Sequence, residues 1–422
     1  MKLSLLSQVR TTPTLAGAWR VIHENGRSSQ SSETRREIAQ FAETAEVSLN
    51  RIQRQLSRNA FVFRPALGVR VQKKGKDSKR PLVVAPIESR IVQRAIHDVL
   101  LSIPRIQEYA GNPYSFGGVK KKRGQEIAGV PAAIEAVLGA IGAGAQFVIR
   151  SDISSFFTKI PKPVVTAIVE EATQDRGFVQ LFKDAITVEL ENLADLKDDA
   201  DLFPLYEIGV AQGCSLSPLL GNMLLSEFDR EMNSGASRCL RYVDDFIILA
   251  PGNIEAEKQF SRGVRLLKKY ELKISGEKTF KGQVAGGFEF LGVEINNGGI
   301  RPSQASRKRF LGKIEKALGS SVAGFHAFDK GDSFSPRQSL IRTLTDVSGI
   351  ALGWGKQYFF CNDKNLFAQL DCKLDSMIRE YLAIYAKFSR PQAQWRRRRL
   401  LGVPLLEELA SKPFKYPVSR DA

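Results

Sequence analysis

Two acidic features interrupt apolar segments of this 422-residue chain, and carboxylates so placed suit one kind of chemistry. Phe147-Val148-Ile149-Arg150-Ser151-Asp152-Ile153 is a β-branched and aromatic run with Asp152 near its end, the composition of a buried strand that presents a carboxylate where it stops. Tyr242-Val243-Asp244-Asp245-Phe246-Ile247-Ile248-Leu249 carries two successive aspartates in mid-run, and a hairpin turn at the pair would reconcile them with the apolar pattern. Violations of a local pattern tend to mark function. Aspartates on adjacent strand ends offer hard oxygen ligands, and Mg²⁺ needs only one or two carboxylates plus substrate phosphates and water. Two such ions about 4 Å apart serve transfer of a nucleotide from its triphosphate to a 3′-hydroxyl. Taken alone, however, an Asp-Asp pair is more often an exposed acidic turn.

The flanking pattern supplies elements to position these groups. Ser32 to Ser57 carries apolar residues at helical spacing, which predicts an amphipathic helix. Val69-Arg70-Val71 and Leu82-Val83-Val84 predict two strands around a basic turn from Lys73 to Arg80, a hairpin with a cationic tip. Ser89 to Ser102 resumes helical periodicity, and Tyr114-Ser115-Phe116-Gly117-Gly118 leads into the basic loop Val119 to Arg123. Pro163 to Asp201 reads as helical, with a solvated acidic face toward Asp198-Asp199-Ala200-Asp201. Beyond Pro302 the pattern is helical and basic, and a late run is Trp395-Arg396-Arg397-Arg398-Arg399.

Lys and Arg outnumber Asp and Glu by 62 to 45, a formal charge of +17 that favours a polyanionic partner, nucleic acid before membrane. No apolar run is long enough to span a bilayer and no lipidation signal is present, so no membrane partner is expected. The N-terminal Met1-Lys2-Leu3-Ser4-Leu5-Leu6-Ser7 is too short for a signal peptide, which predicts a cytoplasmic protein. Cys214, Cys239, Cys361 and Cys372 are far apart, arguing against a zinc site or disulfide framework. His23, His97 and His326 are scattered, against histidine-metal hydrolases and most Ser-His or Cys-His catalysis.

The neighbourhood of the aspartates narrows the reading. Tyr242-Val243-Asp244-Asp245 resembles the Tyr-x-Asp-Asp box of reverse transcriptases, and Asp152-Ile153-Ser154-Ser155-Phe156-Phe157 resembles their first aspartate motif. Between them, Gln212-Gly213-Cys214-Ser215-Leu216-Ser217-Pro218-Leu219-Leu220-Gly221-Asn222 is similar to the family's Gln-Gly-x-x-x-Ser-Pro-x-x-x-Asn segment. Leu272-Lys273-Ile274-Ser275-Gly276-Glu277-Lys278-Thr279 and Phe288-Glu289-Phe290-Leu291-Gly292 resemble its catalytic-lysine and primer-grip motifs. The motifs stand in the family's order, and the resemblance runs from about Asn59 to Tyr385.

The resemblance implies an α/β (α+β) right-hand polymerase fold with fingers, an RRM-like palm built on an antiparallel sheet, and a helical thumb. It implies fingers over residues 1–145 with a helical insertion at 158–210, palm at 146–157 and 211–300, thumb at 301–390 and a basic tail at 391–422. It implies that Asp152 and Asp244 bridge two Mg²⁺ ions, with Mn²⁺ able to substitute, that the Ile153 carbonyl adds a ligand, and that Asp245 completes the site. Phe157 matches the steric gate against a ribose 2′-hydroxyl; the bland reading is a core aromatic beside Phe156. Gln212 and Gly213 would line the nucleotide pocket with Tyr242, and Lys73 or Lys74 with Arg80 would grip the triphosphate. The bland reading of those cations is a solvated hairpin tip. Lys278 would act as general acid near the departing pyrophosphate.

Within the family, Arg80-Pro81-Leu82-Val83-Val84-Ala85-Pro86, Ser89-Arg90-Ile91-Val92-Gln93-Arg94-Ala95 and Gly353-Trp354-Gly355-Lys356-Gln357-Tyr358-Phe359 look like bacterial enzymes related to group II intron reverse transcriptases. Ser89 departs from their usual acidic residue, and too few residues follow the thumb-like segment for their DNA-binding and endonuclease regions. Val347-Ser348-Gly349 nearly matches the retron Val-Thr-Gly signature, but the retron Asn-Ala-x-x-His motif has no counterpart. The expectation is therefore a free-standing enzyme of the unknown-group, phage-defence type. Its partners would be an RNA template, specifically a non-coding RNA, the cDNA product and deoxynucleoside triphosphates, in a chain that could form a homo-oligomer. The alternatives are an intron-type or retron enzyme and a catalytically degenerate RNA-binding scaffold. An RNA-dependent RNA polymerase is disfavoured by Phe157 and Tyr242.

Overall fold

The computed structural model describes residues 3–29, 31–72, 79–118, 127–296 and 298–409. It comprises two compact units, Met1–Val284 and Ala285–Ala422, each with its own core.

The first unit contains a two-stranded hairpin, β1 (Leu67–Gln72) and β2 (Lys79–Val84), paired antiparallel from Leu67 opposite Val84 to Gln72 opposite Lys79. Its tip, with the predicted grip residues Lys73 and Lys74, lies outside the described residues. Strands β3 (Phe147–Asp152), β4 (Arg238–Tyr242), β5 (Asp245–Ala250) and β6 (Phe280–Gln283) form an antiparallel sheet in the order β4-β5-β3-β6. A strand covered on both faces reads as a continuous apolar run, and Phe246, Ile247, Ile248 and Leu249 of β5 are all buried. The nearly all-round buried Ser217–Glu231 helix contributes Phe228, whose ring meets Phe246 edge-on at 5.9 Å. Mixed helix and antiparallel sheet is the fold class that the sequence implied.

Two local readings are corrected. The segment from Ser32 to Ser57 is two helices, Ser32–Glu43 and Ala45–Ser57, broken at Thr44, whose backbone leaves the helical region at φ −122°. The segment from Pro163 to Asp201 holds helices at Lys162–Thr173 and Arg176–Ile186, the latter capped by the Asp175 carboxylate accepting from the Phe178 N–H. Beyond Thr187 the backbone is extended, and only short turns, Leu193–Leu196 and Lys197–Leu202, follow.

In the second unit, β7 (Phe288–Phe290), β8 (Val293–Asn296) and β9 (Gly299–Pro302) form an antiparallel meander. Long helices follow at Gln304–Asp329, Leu340–Gln357 and Lys364–Ser389. Trp354 stacks on Phe310 at 4.5 Å and donates its indole N–H to Ser306 at 3.2 Å. Most of the arginine run is spent locally. The Arg396 guanidinium lies 4.3 Å over the Phe328 ring, Arg398 donates to the Pro404 carbonyl, and Arg399 pairs with Glu408. No described helix is long and apolar enough to cross a membrane.

Candidate active site

The β4–β5 connection is a two-residue turn of Val243 and Asp244, closed by Tyr242 opposite Asp245. The turn thus falls one residue before the aspartate pair where the apolar pattern placed it, and Asp245 already belongs to β5. Two-residue hairpin turns require positive φ at the first central position, and Val243 adopts φ 61°. A β-branched residue there is strained and persists only where surrounding structure overdetermines it.

That structure is a buried network. The Arg241 side chain is fully buried and forks onto Asp229, Nε to Oδ1 at 2.7 Å and Nη2 to Oδ2 at 2.5 Å. Its Nη1 donates to the Val243 carbonyl at 2.9 Å and to Asn222 Oδ1 at 3.1 Å. Asn222 in turn accepts from the Ser115 hydroxyl and donates to the Gly117 carbonyl. Backbone bonds from Phe116 to Arg241 and from Arg241 to Tyr114 seat the 114–118 loop beside β4. A Cβ on Gly117 would fall 2.5 Å from the Val243 nitrogen, so only glycine permits this approach. Sequence reasoning gave no role to Arg241 or Asp229. The one available signal was a charged residue inside a strand otherwise buried.

Across the sheet, Asp152 stands opposite Asp245 in register, and the Ile153 N–H donates to the Asp244 carbonyl at 3.0 Å. Asp152 is buried and pairs with Lys278, whose side chain is half exposed. The lysine is fixed by its own turn, because the Ser275 N–H donates to the Asp152 carbonyl at 2.8 Å and the Thr279 hydroxyl meets Ser151 at 2.8 Å. Burial, then the Asp152 charge, raises the Asp244 pKa, with Lys278 and Arg80 opposing. Burial, then Asp244 and Asp152, pushes Asp245 up to about 6. Among the described residues no three acidic, histidine or cysteine side chains already converge as a ligand set. The donors nevertheless fit Mg²⁺. Carboxylates are hard oxygen donors, Asp152 and Asp245 face each other across the sheet with Asp244 at the adjoining turn, and Mg²⁺ needs no all-protein cage.

The other predicted residues are placed as follows. Gly221 admits the Phe156 ring, since a Cβ there would lie 2.7 Å from it; Phe156 is core and the neighbouring Phe157 is only half buried, on the Phe156–Lys159 turn. The Gln212 carbonyl accepts from the Val83 N–H at 3.0 Å, joining the Gln-Gly segment to β2, and Gly213 takes φ +113°. Tyr242 is half buried, which raises its phenol pKa. Arg80 is exposed on β2.

The sheet and its aspartate-bearing hairpin define a polymerase-type fold, and residues 71–295, just over half of the chain, match the family described as reverse transcriptase (RNA-dependent DNA polymerase). The chain belongs to that family. It is similar to Protein YkfC of Escherichia coli K12, 28% identical over 262 residues, an alignment covering 53% of this chain and only 64% of that relative. Among solved structures it is similar to apo telomerase from Candida tropicalis truncated from its C-terminal domain. There the identity is 14% and the TM-score 0.40, over 57% of this chain and 55% of that one. It is also similar to a chain of a Cas6-RT-Cas1–Cas2 complex, at 19% identity and TM-score 0.35, over 64% of this chain and 43% of that one.

Proposed function

We propose that the chain is an RNA-directed DNA polymerase working by two-metal nucleotidyl transfer. The observation that carries this is the register of Asp152 against Asp245, with Asp244 at the adjoining turn, in a chain of this family. Asp152, Asp244 and Asp245, with the Ile153 carbonyl, would hold the Mg²⁺ ions. Bound there, Mg²⁺ would lower the pKa of the primer 3′-hydroxyl and neutralise the departing pyrophosphate. Lys278, half exposed beside Asp152, would give a proton to that leaving group. Arg80, with Lys73 and Lys74, would grip the triphosphate, while Gln212, Gly213 and Tyr242 line the pocket. On this reading residues 1–145 and 158–210 are fingers, 146–157 and 211–300 palm, 301–390 thumb and 391–422 tail.

The test is primer extension on an RNA template from a mixture of deoxynucleotides and ribonucleotides. Wild type should use deoxynucleotides only. Phe157→Ala should admit ribonucleotides, because exclusion acts through the volume of the half-buried ring, and discrimination should fall more than overall rate. Continued exclusion by that variant would move the gate elsewhere.

The finer reading is a cytoplasmic phage-defence enzyme that copies one specific non-coding RNA. Its support is the +17 charge and the likeness of the Arg80–Ala95 segment to bacterial intron-related enzymes. Non-specific binding weakens by roughly 0.7 to 0.9 in log affinity per phosphate contact per log unit of salt, whereas a folded RNA is read by shape, 2′-hydroxyls and unstacked bases. Purification from the native host through about 1 M salt, where the Debye length is about 3 Å, should therefore retain one dominant transcript that is also represented in cDNA. A random RNA sample would sink the partner-RNA reading and leave the polymerase reading standing.

A further inference from the structure

The acidic segment after the Arg176–Ile186 helix reads in sequence as a solvated face, yet it is bonded to the β1–β2 hairpin along its length. Ala66, just before β1, exchanges backbone bonds with Glu189 and Glu191, at 2.8 and 3.0 Å, as an isolated parallel bridge. Asn192 then grips the Gly68 peptide from both sides, accepting its N–H at 2.8 Å and donating to its carbonyl at 3.0 Å. The fit at Gly68 is close, because a Cβ would meet the Leu196 side chain at 2.8 Å and the Phe203 ring at 3.2 Å, so that both would have to give. Leu196, Phe203 and Val188 complete a small core with Ala66 and Val83. Farther out, one carboxylate oxygen, Asp199 Oδ2, accepts from Arg70 at 2.8 Å and from Lys79 at 2.7 Å, one residue on each strand.

Strand alternation gives these contacts a direction. Cross-strand partners share a face and successive residues alternate, so Gly68, Arg70, Lys79, Pro81 and Val83 lie on one face of the hairpin. Arg80 lies on the other, with Val69, Val71 and Leu82. The acidic segment holds the first face, whereas Arg80 on the second is exposed, on the strand whose Val83 N–H donates to the Gln212 carbonyl.

We propose that residues 189–203 form a brace that sets where the hairpin aims Arg80, with Asp199 as the positioning residue. The inference rests on the reading of Arg80 as a triphosphate ligand. Asp199 acts through others: it ties down Arg70 and Lys79, so that among the described cations of the hairpin Arg80, on the far face, is the one left to meet the substrate. Magnitudes favour aim over stability as its contribution. The pairs are between partly exposed groups, 41% and 38% for the cations and 22% for Asp199, and such pairs contribute little to folding. A misplacement of about 1 Å at a substrate-positioning group can cost on the order of a hundredfold in rate.

The test is steady-state primer extension by the full chain, with dNTP KM, kcat and melting temperature measured for Asp199→Asn, Asp199→Glu, Asn192→Ala, Arg80→Ala and the Asp199→Asn/Arg80→Ala pair. Asp199→Asn and Asn192→Ala should each raise dNTP KM roughly tenfold with kcat within about twofold, and Asp199→Glu should restore most of the loss. The effect of Asp199→Asn should largely vanish in the Arg80→Ala background, since residues acting through one another are non-additive. A raised KM in Arg80→Ala with an unchanged KM in Asp199→Asn overturns the brace while sparing the triphosphate reading. A lowered melting temperature at unchanged KM, or full additivity of the pair, overturns it as well. No effect of Arg80→Ala on KM refutes the triphosphate reading, and the brace with it.

Discussion

Asp244→Asn combined with Asp245→Asn should abolish DNA synthesis while raising, or leaving unchanged, the stability of the metal-free protein. Amides are isosteric with the carboxylates but cannot supply hard anionic ligands, so the first effect follows from lost Mg²⁺ affinity. The second follows from the pKa. Asp245 sits at about 6 when folded, against an ordinary 3.8. The folded chain therefore holds this proton more tightly than the unfolded one, and stability falls as pH climbs from about 4 to 6 and stays low above. The loss at pH 7 is on the order of 1–3 kcal/mol, and the double variant escapes it. Melting curves at pH 5 and pH 7 in chelator should diverge for wild type and converge for the variant. Added Mg²⁺ should raise only the wild-type melting temperature, by mass action. A double variant that extends primers at the wild-type rate would refute the assignment.

Arg241→Met should cost roughly 3–5 kcal/mol, the penalty for leaving Asp229 charged, buried and without its fork. The pair is desolvated on both sides, with side-chain exposures of 0% and 1%. The same substitution removes the bond to the Val243 carbonyl, so activity should fall further than the folded fraction does. Urea titration checks the first effect, and specific activity per folded molecule the second. Replacing both partners, Arg241→Met with Asp229→Leu, should recover much of the stability and little of the activity, because the turn stays unpinned. A single variant within about 1 kcal/mol of wild type would mean that the Asn112 amide, which donates to Asp229 Oδ2 at 2.7 Å, is partner enough.

The strands and their aspartates were legible because carboxylates are conspicuous in apolar runs, and a short β-branched and aromatic run reads as a buried strand. The position of the turn was not. Local rules disfavour a valine at positive φ, so the aspartate pair looked the better turn, and the forces that overrule this preference come from Asn222 and Arg241. Asp229 lies near the end of the helix before β4, 12 positions from Arg241, and no periodicity joins them. Asp199 was visible as a charge but not as a bond, since its partners Arg70 and Lys79 are more than a hundred positions back along the chain. The break at Thr44 was hidden because both halves keep helical spacing.

The close seat of Gly117 against Val243 changes how a substitution scan of this chain has to be interpreted. A methyl group at position 117 would collide with the turn that carries Asp244, although the residue has no side chain of its own. Inactivity at this position would thus be indistinguishable, in a screen that scores product alone, from loss of an aspartate. On the proposed assignment the two separate once turnover is divided by the amount of Mg²⁺ bound: a displaced turn would weaken ion binding by moving a carboxylate that the chain still has, and a lost aspartate would weaken it by removing one.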